Sequence, residues 1–119
     1  MSAEVDRIAG QVRRAQAQFA QFTQEQVDKV LAAMHAACLP NLEKWARLAH
    51  EETGYGTIAD KTVKNRFGAQ DVYRYIRPMK TVGFISADPA NGVYEVASPM
   101  GLVAAVIPST NPTSTAIYK

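Results

Sequence analysis

A single cysteine, Cys38, is all the thiol in this sequence, which excludes an internal disulfide and fits a reducing compartment. No apolar run approaches the roughly 20 residues of a membrane span. The N-terminus also lacks the apolar core of a secretory leader. The expectation is a soluble cytoplasmic protein with no membrane partner. Charge of one sign is missing too: 13 basic residues stand against 11 acidic ones, scattered along the chain, which argues against nucleic acid or an anionic surface as partner. His35 and His50 have no carboxylate or thiol at metal-ligand spacing, so no metal site is expected and both read as packing or solvated histidines. Gly54 and Gly56 follow no strand and make no dinucleotide fingerprint. Internal repeats, low-complexity tracts and linkers are absent.

What is present is enough for a core. The chain of 119 residues is 47% hydrophobic, and a chain of this size buries roughly two-thirds of the surface its unfolded form exposes. That makes one domain, or a piece of a larger one. From about residue 3 to 79 the apolar residues recur at helical spacing. Val5, Ile8, Ala9, Val12, Ala15 and Phe19 form a first stripe. Thr23 and Gln26 have capping-box spacing and open a second helix, with Val27, Val30, Leu31, Met34 and Cys38 on its apolar side. Pro40 ends it. Asn41 can cap a third helix with Leu42, Trp45, Ala46, Leu48 and Ala49 inward, closed by Gly54 and Gly56. A fourth starts near Asp60, carries Val63, Phe67, Val72, Tyr73 and Ile76, and stops at Pro78. The basic run Lys61 to Arg66 reads as the wet face of that helix, and Glu51 and Glu52 as a solvated helix end.

After Met79 the period changes. Thr81 to Ile85 and Val93 to Ala97 are short β-type runs, and the turn residues between them predict a hairpin over about 81–97. Leu102 to Ile107 is then apolar without alternation, the pattern of a strand covered on both faces in a parallel sheet. Leaving Leu102, Val103, Val106 and Ile107 uncovered would cost roughly 6–12 kcal/mol at about 1.5–3 each, comparable with the roughly 5–15 kcal/mol stability of a whole domain. A helix start follows it. The expected fold class is therefore α/β: an N-terminal helical layer, a β-hairpin, then over about 102–119 the first strand and helix start of a Rossmann-like parallel sheet, an incomplete domain.

Asn111 stands in the strand-to-helix turn, where open parallel sheets bind ligands. Its carboxamide offers neutral N–H donors of the kind an enzyme aims at an oxyanion. Set against that is the plain role of an N-cap ahead of Pro112 at the first helical position. An N-cap side chain can be re-aimed at a ligand, so the two roles are compatible.

The stretch GLVAAVIPSTNPTSTAIYK, residues 101–119, resembles the start of the nucleotide-binding domain of the aldehyde dehydrogenase superfamily, in its CoA-acylating branch. That branch includes sulfoacetaldehyde dehydrogenases and the aldehyde half of bifunctional aldehyde-alcohol dehydrogenases. EETGYGTIADKTVKNRF (51–67) and DPANGVYEVASPMG (88–101) resemble the same branch in the same order. Ser109-Thr110-Asn111-Pro112 is the acylating style of the loop; hydrolytic members usually have an aromatic residue before the asparagine.

The resemblance implies NAD as cofactor, CoA as co-substrate and a small aldehyde as substrate. In the family a cysteine thiolate attacks the aldehyde, NAD is reduced, and CoA takes the acyl group from the thioester. Asn111 matches the asparagine that stabilises the thiohemiacetal oxyanion. Ile107, Pro108, Ser109 and Thr110 match the loop at the nicotinamide end of the NAD site, and Lys119 a helix lysine near the active site. The block Thr81 to Ala97 matches strands of the oligomer interface, which implies a homo-oligomer. The family's nucleophilic cysteine would lie far beyond residue 119. Cys38, on the apolar stripe of the second helix, reads as a buried inert thiol. The first reading is the N-terminal part of an acylating dehydrogenase, silent alone. The second is a non-catalytic shortened module acting by self-association or by binding a full-length partner.

Overall fold

The computed structural model describes residues 2–119, which divide into two compact units: residues 2–27 with 80–104, and residues 28–79 with 105–119. The helices are α1 (Ala3–Phe19), α2 (Gln24–Cys38), α3 (Leu42–Thr53), α4 (Ile58–Arg66), α5 (Val72–Ile76) and α6 (Pro112–Tyr118). A 3₁₀ turn, Leu39–Asn41, joins α2 to α3, and a π-helical turn, Phe67–Asp71, joins α4 to α5. Strands β1 (Gly83–Asp88) and β2 (Val93–Ala97) form the hairpin, the one sheet among the described residues. No helix among them is long and apolar enough to cross a membrane.

In the first unit, Ser2 caps α1 by accepting from the Val5 N–H at 3.4 Å. The apolar stripe of α1 is there, but no residue of the helix is buried. The capping box that opens α2 forms as its spacing predicts: Gln26 N donates to Thr23 Oγ1 at 3.3 Å, and Thr23 N to Gln26 Oε1 at 2.9 Å. One residue inside that box, Gln24 Oε1 accepts from the N–H groups of Thr81 (2.8 Å) and Val82 (3.1 Å). Two backbone donors just ahead of β1 thus have a partner that is not a strand. The hairpin pairs Asp88 with Val93 at its tip and Gly83 with Ala97 at its base, with a bulge between Phe84 and Ser86. Its turn is tied by Asp88, whose carboxylate accepts from Asn91 N (3.2 Å) and Asn91 Nδ2 (2.7 Å). Gly92 follows at φ +66°, the left-handed region that favours glycine.

The second unit holds the core. Leu42, Ala46 and Ala49 of α3 and Ala69 of the π turn are buried, and so are Lys61, Asn65, Ser114 and Thr115. Small residues let the helices approach closely: a Cβ added at Gly68 would sit 3.3 Å from the Ser114 carbonyl oxygen. The π turn bonds Val72 N to Phe67 O, five residues back. His35 stacks on Tyr73 with centroids 4.1 Å apart and planes 9° from parallel. Its Nδ1 lies 2.8 Å from the Ala69 carbonyl, which can only accept, so Nδ1 carries the proton. The packing reading of His35 holds.

Three expectations are corrected here. The fourth helix begins at Ile58, capped by Thr57, and turns the other face inward: Val63 and Phe67 are 66% and 59% exposed, while Lys61 and Asn65 are 4% and 1% exposed. Both buried polar side chains of α4 have partners. Asn65 Nδ2 donates to Leu42 O at 2.9 Å and Oδ1 accepts from Thr113 Oγ1 at 2.8 Å, while Lys61 Nζ donates to Thr110 O at 3.0 Å. The apolar stripe has no such claim on the interior. Second, Asn41 does not cap α3 with its side chain; Nδ2 turns back to donate to Ala37 O at 3.0 Å across the 3₁₀ turn. Third, Leu48 of α3 is exposed, and Trp45 and Cys38 are only half-buried. Leu102 to Ile107, the segment expected to open an incomplete sheet, joins no ladder, and all six residues are exposed, Val106 to 85%. A strand exists only with a pairing partner, and no described element pairs with this segment.

Two outcomes follow. Asn65→Ala removes both links that Asn65 makes to α3 and α6, and lowers the unfolding free energy by about 2 kcal/mol, within the roughly 1–3 of a buried polar group left unpaired, read by chemical denaturation. The Asn91 bonds hold the Asp88 carboxyl below its ordinary range, so the charged form favours the closed turn. Its contribution is present above the ordinary aspartate range and is lost as pH falls through the depressed folded value. The Asn91 amide and side-chain resonances move together with that titration, and Asp88→Ala abolishes the movement.

Candidate functional site

Asn111 lies between Pro108 and Pro112, in the turn that leads into α6. A first-turn proline supplies no N–H, so an asparagine before it ordinarily caps the next donors of the helix. This one does not. Its backbone carbonyl starts α6 by accepting from Thr115 N at 3.2 Å, but its side chain makes no cap bond. Instead, Oδ1 accepts from Lys64 Nζ at 3.2 Å. An ammonium only donates, so the atom facing it is the oxygen, and the carboxamide orientation is defined. Nδ2 makes no hydrogen bond among the described residues.

Three side chains of α4 reach the same turn. Lys61 holds the Thr110 carbonyl, Lys64 the Asn111 carboxamide, and Asn65 the Thr113 hydroxyl. Residues i, i+3 and i+4 share one helix face, so one element serves three nearly successive positions of the turn. Among the described residues neither lysine forms an ion pair. Lys61, Lys64, Thr110 and Asn111 line an open cleft of about 470 Å³, together with Tyr55 and Asp60. Asp60 is occupied at the start of α4, accepting from Thr57 Oγ1 at 2.7 Å.

The other sequence-derived candidates are distributed differently. Thr110 and Asn111 line the cleft; Ile107, Pro108 and Ser109 are exposed on the approach to it and line no part of it. Lys119 is apart, at the far end of α6, in a second groove of about 140 Å³ with Cys38, His35 and Tyr73. Cys38 is a free, half-buried thiol in that groove, away from Asn111. Among the described residues no cluster of metal-ligating side chains exists. Glu51 and Glu52 are exposed, as a solvated helix end should be. His50 Nδ1 is buried without a hydrogen-bond partner; nothing in the structure explains it.

The sequence reading missed Lys61, Lys64 and Asn65. The signal available was their i, i+3, i+4 spacing together with Gly68, a polar-and-small face repeating at helical period opposite the apolar one.

Comparison with known proteins fits this geometry to a family. No family model matches the chain. A bifunctional aldehyde-alcohol dehydrogenase of Escherichia coli (strain K12) is 39% identical over 117 residues, 98% of this chain and 13% of that protein. An acylating sulfoacetaldehyde dehydrogenase of Bilophila wadsworthia is 38% identical over 105 residues, 87% of this chain and 23% of that protein. The crystal structure of an acetylating aldehyde dehydrogenase from Geobacillus thermoglucosidasius superposes with a TM-score of 0.93 at 45% identity, covering 97% of this chain and 25% of that one. The chain thus spans a quarter or less of the length of each of these relatives. By sequence and by fold, it belongs to the acylating aldehyde dehydrogenases, as a counterpart of their N-terminal segment.

Proposed function

We propose that these residues supply the oxyanion donor and one wall of the cofactor site in an NAD-dependent, CoA-acylating aldehyde dehydrogenase, which converts aldehyde, CoA and NAD to acyl-CoA and NADH. The observation that carries this reading is the state of Asn111. Its oxygen is engaged by Lys64, and its Nδ2 hydrogens have no partner at the edge of an open cleft. A carboxamide serving only as a helix cap would have its oxygen on the backbone N–H groups of α6.

In this reading Asn111 Nδ2 donates to the oxygen that gains charge when a thiolate attacks the aldehyde carbonyl. A preorganised neutral donor stabilises that charge without reorganising, and its removal costs about 10²–10³ in kcat. Ile107, Pro108, Ser109 and Thr110 would border the nicotinamide. An exposed apolar residue, a proline and two hydroxyls fit one side of a flat ring carrying a polar amide. When bound, NAD supplies the oxidant. Lys119 lies in a separate groove, so its place in this reading is as a more distant support. The family's thiolate has no counterpart here, because Cys38 is half-buried in that separate groove. The 119 residues alone are therefore catalytically silent. Cytoplasmic location and homo-oligomeric assembly through the hairpin belong to the same proposal; exposed Phe84, Val93, Tyr94 and Val96 on the hairpin support the second.

Two results test this. The isolated chain forms no NADH from acetaldehyde, CoA and NAD. In the intact dehydrogenase carrying these residues, Asn111→Ala lowers kcat for CoA-dependent NADH formation by about 10²–10³, with the aldehyde KM little changed. A kcat within twofold of the parent would remove the oxyanion role.

A further inference from the structure

We propose that Lys64 is a positioning residue for Asn111: its ammonium withdraws the carboxamide oxygen from the helix-capping position and so turns Nδ2 outward as a donor. The inference rests on the oxyanion reading above for its catalytic consequence, but its geometric part stands alone.

Two kinds of donor compete for the Asn111 oxygen, the first N–H groups of α6 and the Lys64 ammonium. An asparagine at an N-cap has its oxygen within reach of the second and third N–H groups of its helix, here those of Thr113 and Ser114. In α6 that bond is missing, and Asn111 takes a backbone conformation of φ −140°, ψ 59°. The competitor is Lys64 Nζ, 3.2 Å from Oδ1. An ammonium is the stronger donor, since hydrogen bonds to charged partners are about twice as strong as neutral ones. With the oxygen on Lys64, the two hydrogens on Nδ2 are left for a ligand. A cation on the carbonyl side also polarises the amide toward its N–H groups, so the same contact that aims the donor strengthens it.

The second observation is that Lys64 does not act on a loose loop. Lys61, one turn earlier on α4, is buried with Nζ on the carbonyl of Thr110, the residue immediately before Asn111. Asn65, the next residue along α4, is buried with Oδ1 accepting from Thr113, two residues after it. The residues on both sides of Asn111 are therefore held by part-buried contacts from the helix that carries Lys64, to the Thr110 carbonyl and the Thr113 hydroxyl. Only the carboxamide torsions remain to be fixed, and Lys64 is the residue that fixes them. An exposed lysine bonded to an exposed loop would be worth little; one bonded to the single unfixed group between two buried anchors has a defined task.

The consequence is an opposition of signs that a merely structural contact would not produce. Lys64→Met frees Oδ1 to cap α6, so the thermal midpoint holds or rises while the donor is lost from the cleft. In the 119-residue chain, Lys64→Met shifts the Asn111 side-chain amide resonances and slows hydrogen exchange at the Thr113 or Ser114 amide; Lys64→Arg, which keeps a cationic donor, does neither. In the intact dehydrogenase, Lys64→Met lowers kcat about tenfold, a fraction of the roughly 10²–10³ of losing the donor itself, and leaves the aldehyde KM unchanged. Lys64→Arg restores most of that loss. In an Asn111→Ala background, Lys64→Met adds nothing, because the two residues act as one unit. Unmoved Asn111 resonances, or kcat losses that add in the double variant, overturn the role of Lys64. A normal kcat for Asn111→Ala overturns the oxyanion reading instead, and the resonance result then decides the geometric part alone.

Discussion

Asn65 is the joint on which the second unit depends. It is a polar side chain, 1% exposed, in the last turn of α4, where a carboxamide without partners would cost about 1–3 kcal/mol. It is held by the backbone carbonyl of Leu42 on one side and the hydroxyl of Thr113 on the other. Leu42 opens α3 and Thr113 lies in the first turn of α6, so one side chain ties the last turn of α4 to the starts of two other helices. Apolar packing alone would not select this register. The buried apolar side chains are mostly alanines, which lock into one another less than larger side chains do. Directional bonds supply the specificity instead.

From that joint the site follows. Because Asn65 faces α6, Lys61 and Lys64 face the turn that precedes it. Lys61 extends its ammonium to Thr110 O and Lys64 to Asn111 Oδ1. The turn is therefore shaped from the side by a helix, rather than from within by its own prolines. Pro108 and Pro112 limit the backbone around it, but they say nothing of where the Asn111 carboxamide faces. The orientation of that group comes from α4, 47 residues earlier in the chain. The chemistry proposed for Asn111 thus depends on a helix whose own donors are spent on the turn.

Local features were legible in the sequence where the physics is local. The Thr23–Gln26 box and the left-handed Gly54 cap form where spacing and residue type predict them, because each involves residues within a few positions. The hairpin likewise follows from its turn residues. The buried face of α4 was not legible in the same way. Hydrophobic periodicity places Val63 and Phe67 inward, whereas Lys61 and Asn65 take the interior because their partners lie 23 to 49 residues away. A periodicity argument sees one helix and cannot weigh distant hydrogen bonds that satisfy a buried amide or ammonium. Leu102 to Ile107 has the apolar composition of a strand in an incomplete sheet, and none of the described segments pairs with it. Asn111 itself was found through family resemblance; composition and spacing alone left cap and donor open.

The most direct measurement is a crystal structure of the intact dehydrogenase carrying these residues, trapped as the covalent adduct of an aldehyde with its nucleophilic thiol. The account predicts Asn111 Nδ2 about 2.7–3.1 Å from the adduct oxygen, with Lys64 Nζ still on Oδ1. An adduct oxygen out of reach of Nδ2, with Oδ1 turned onto the first N–H groups of α6, would contradict it.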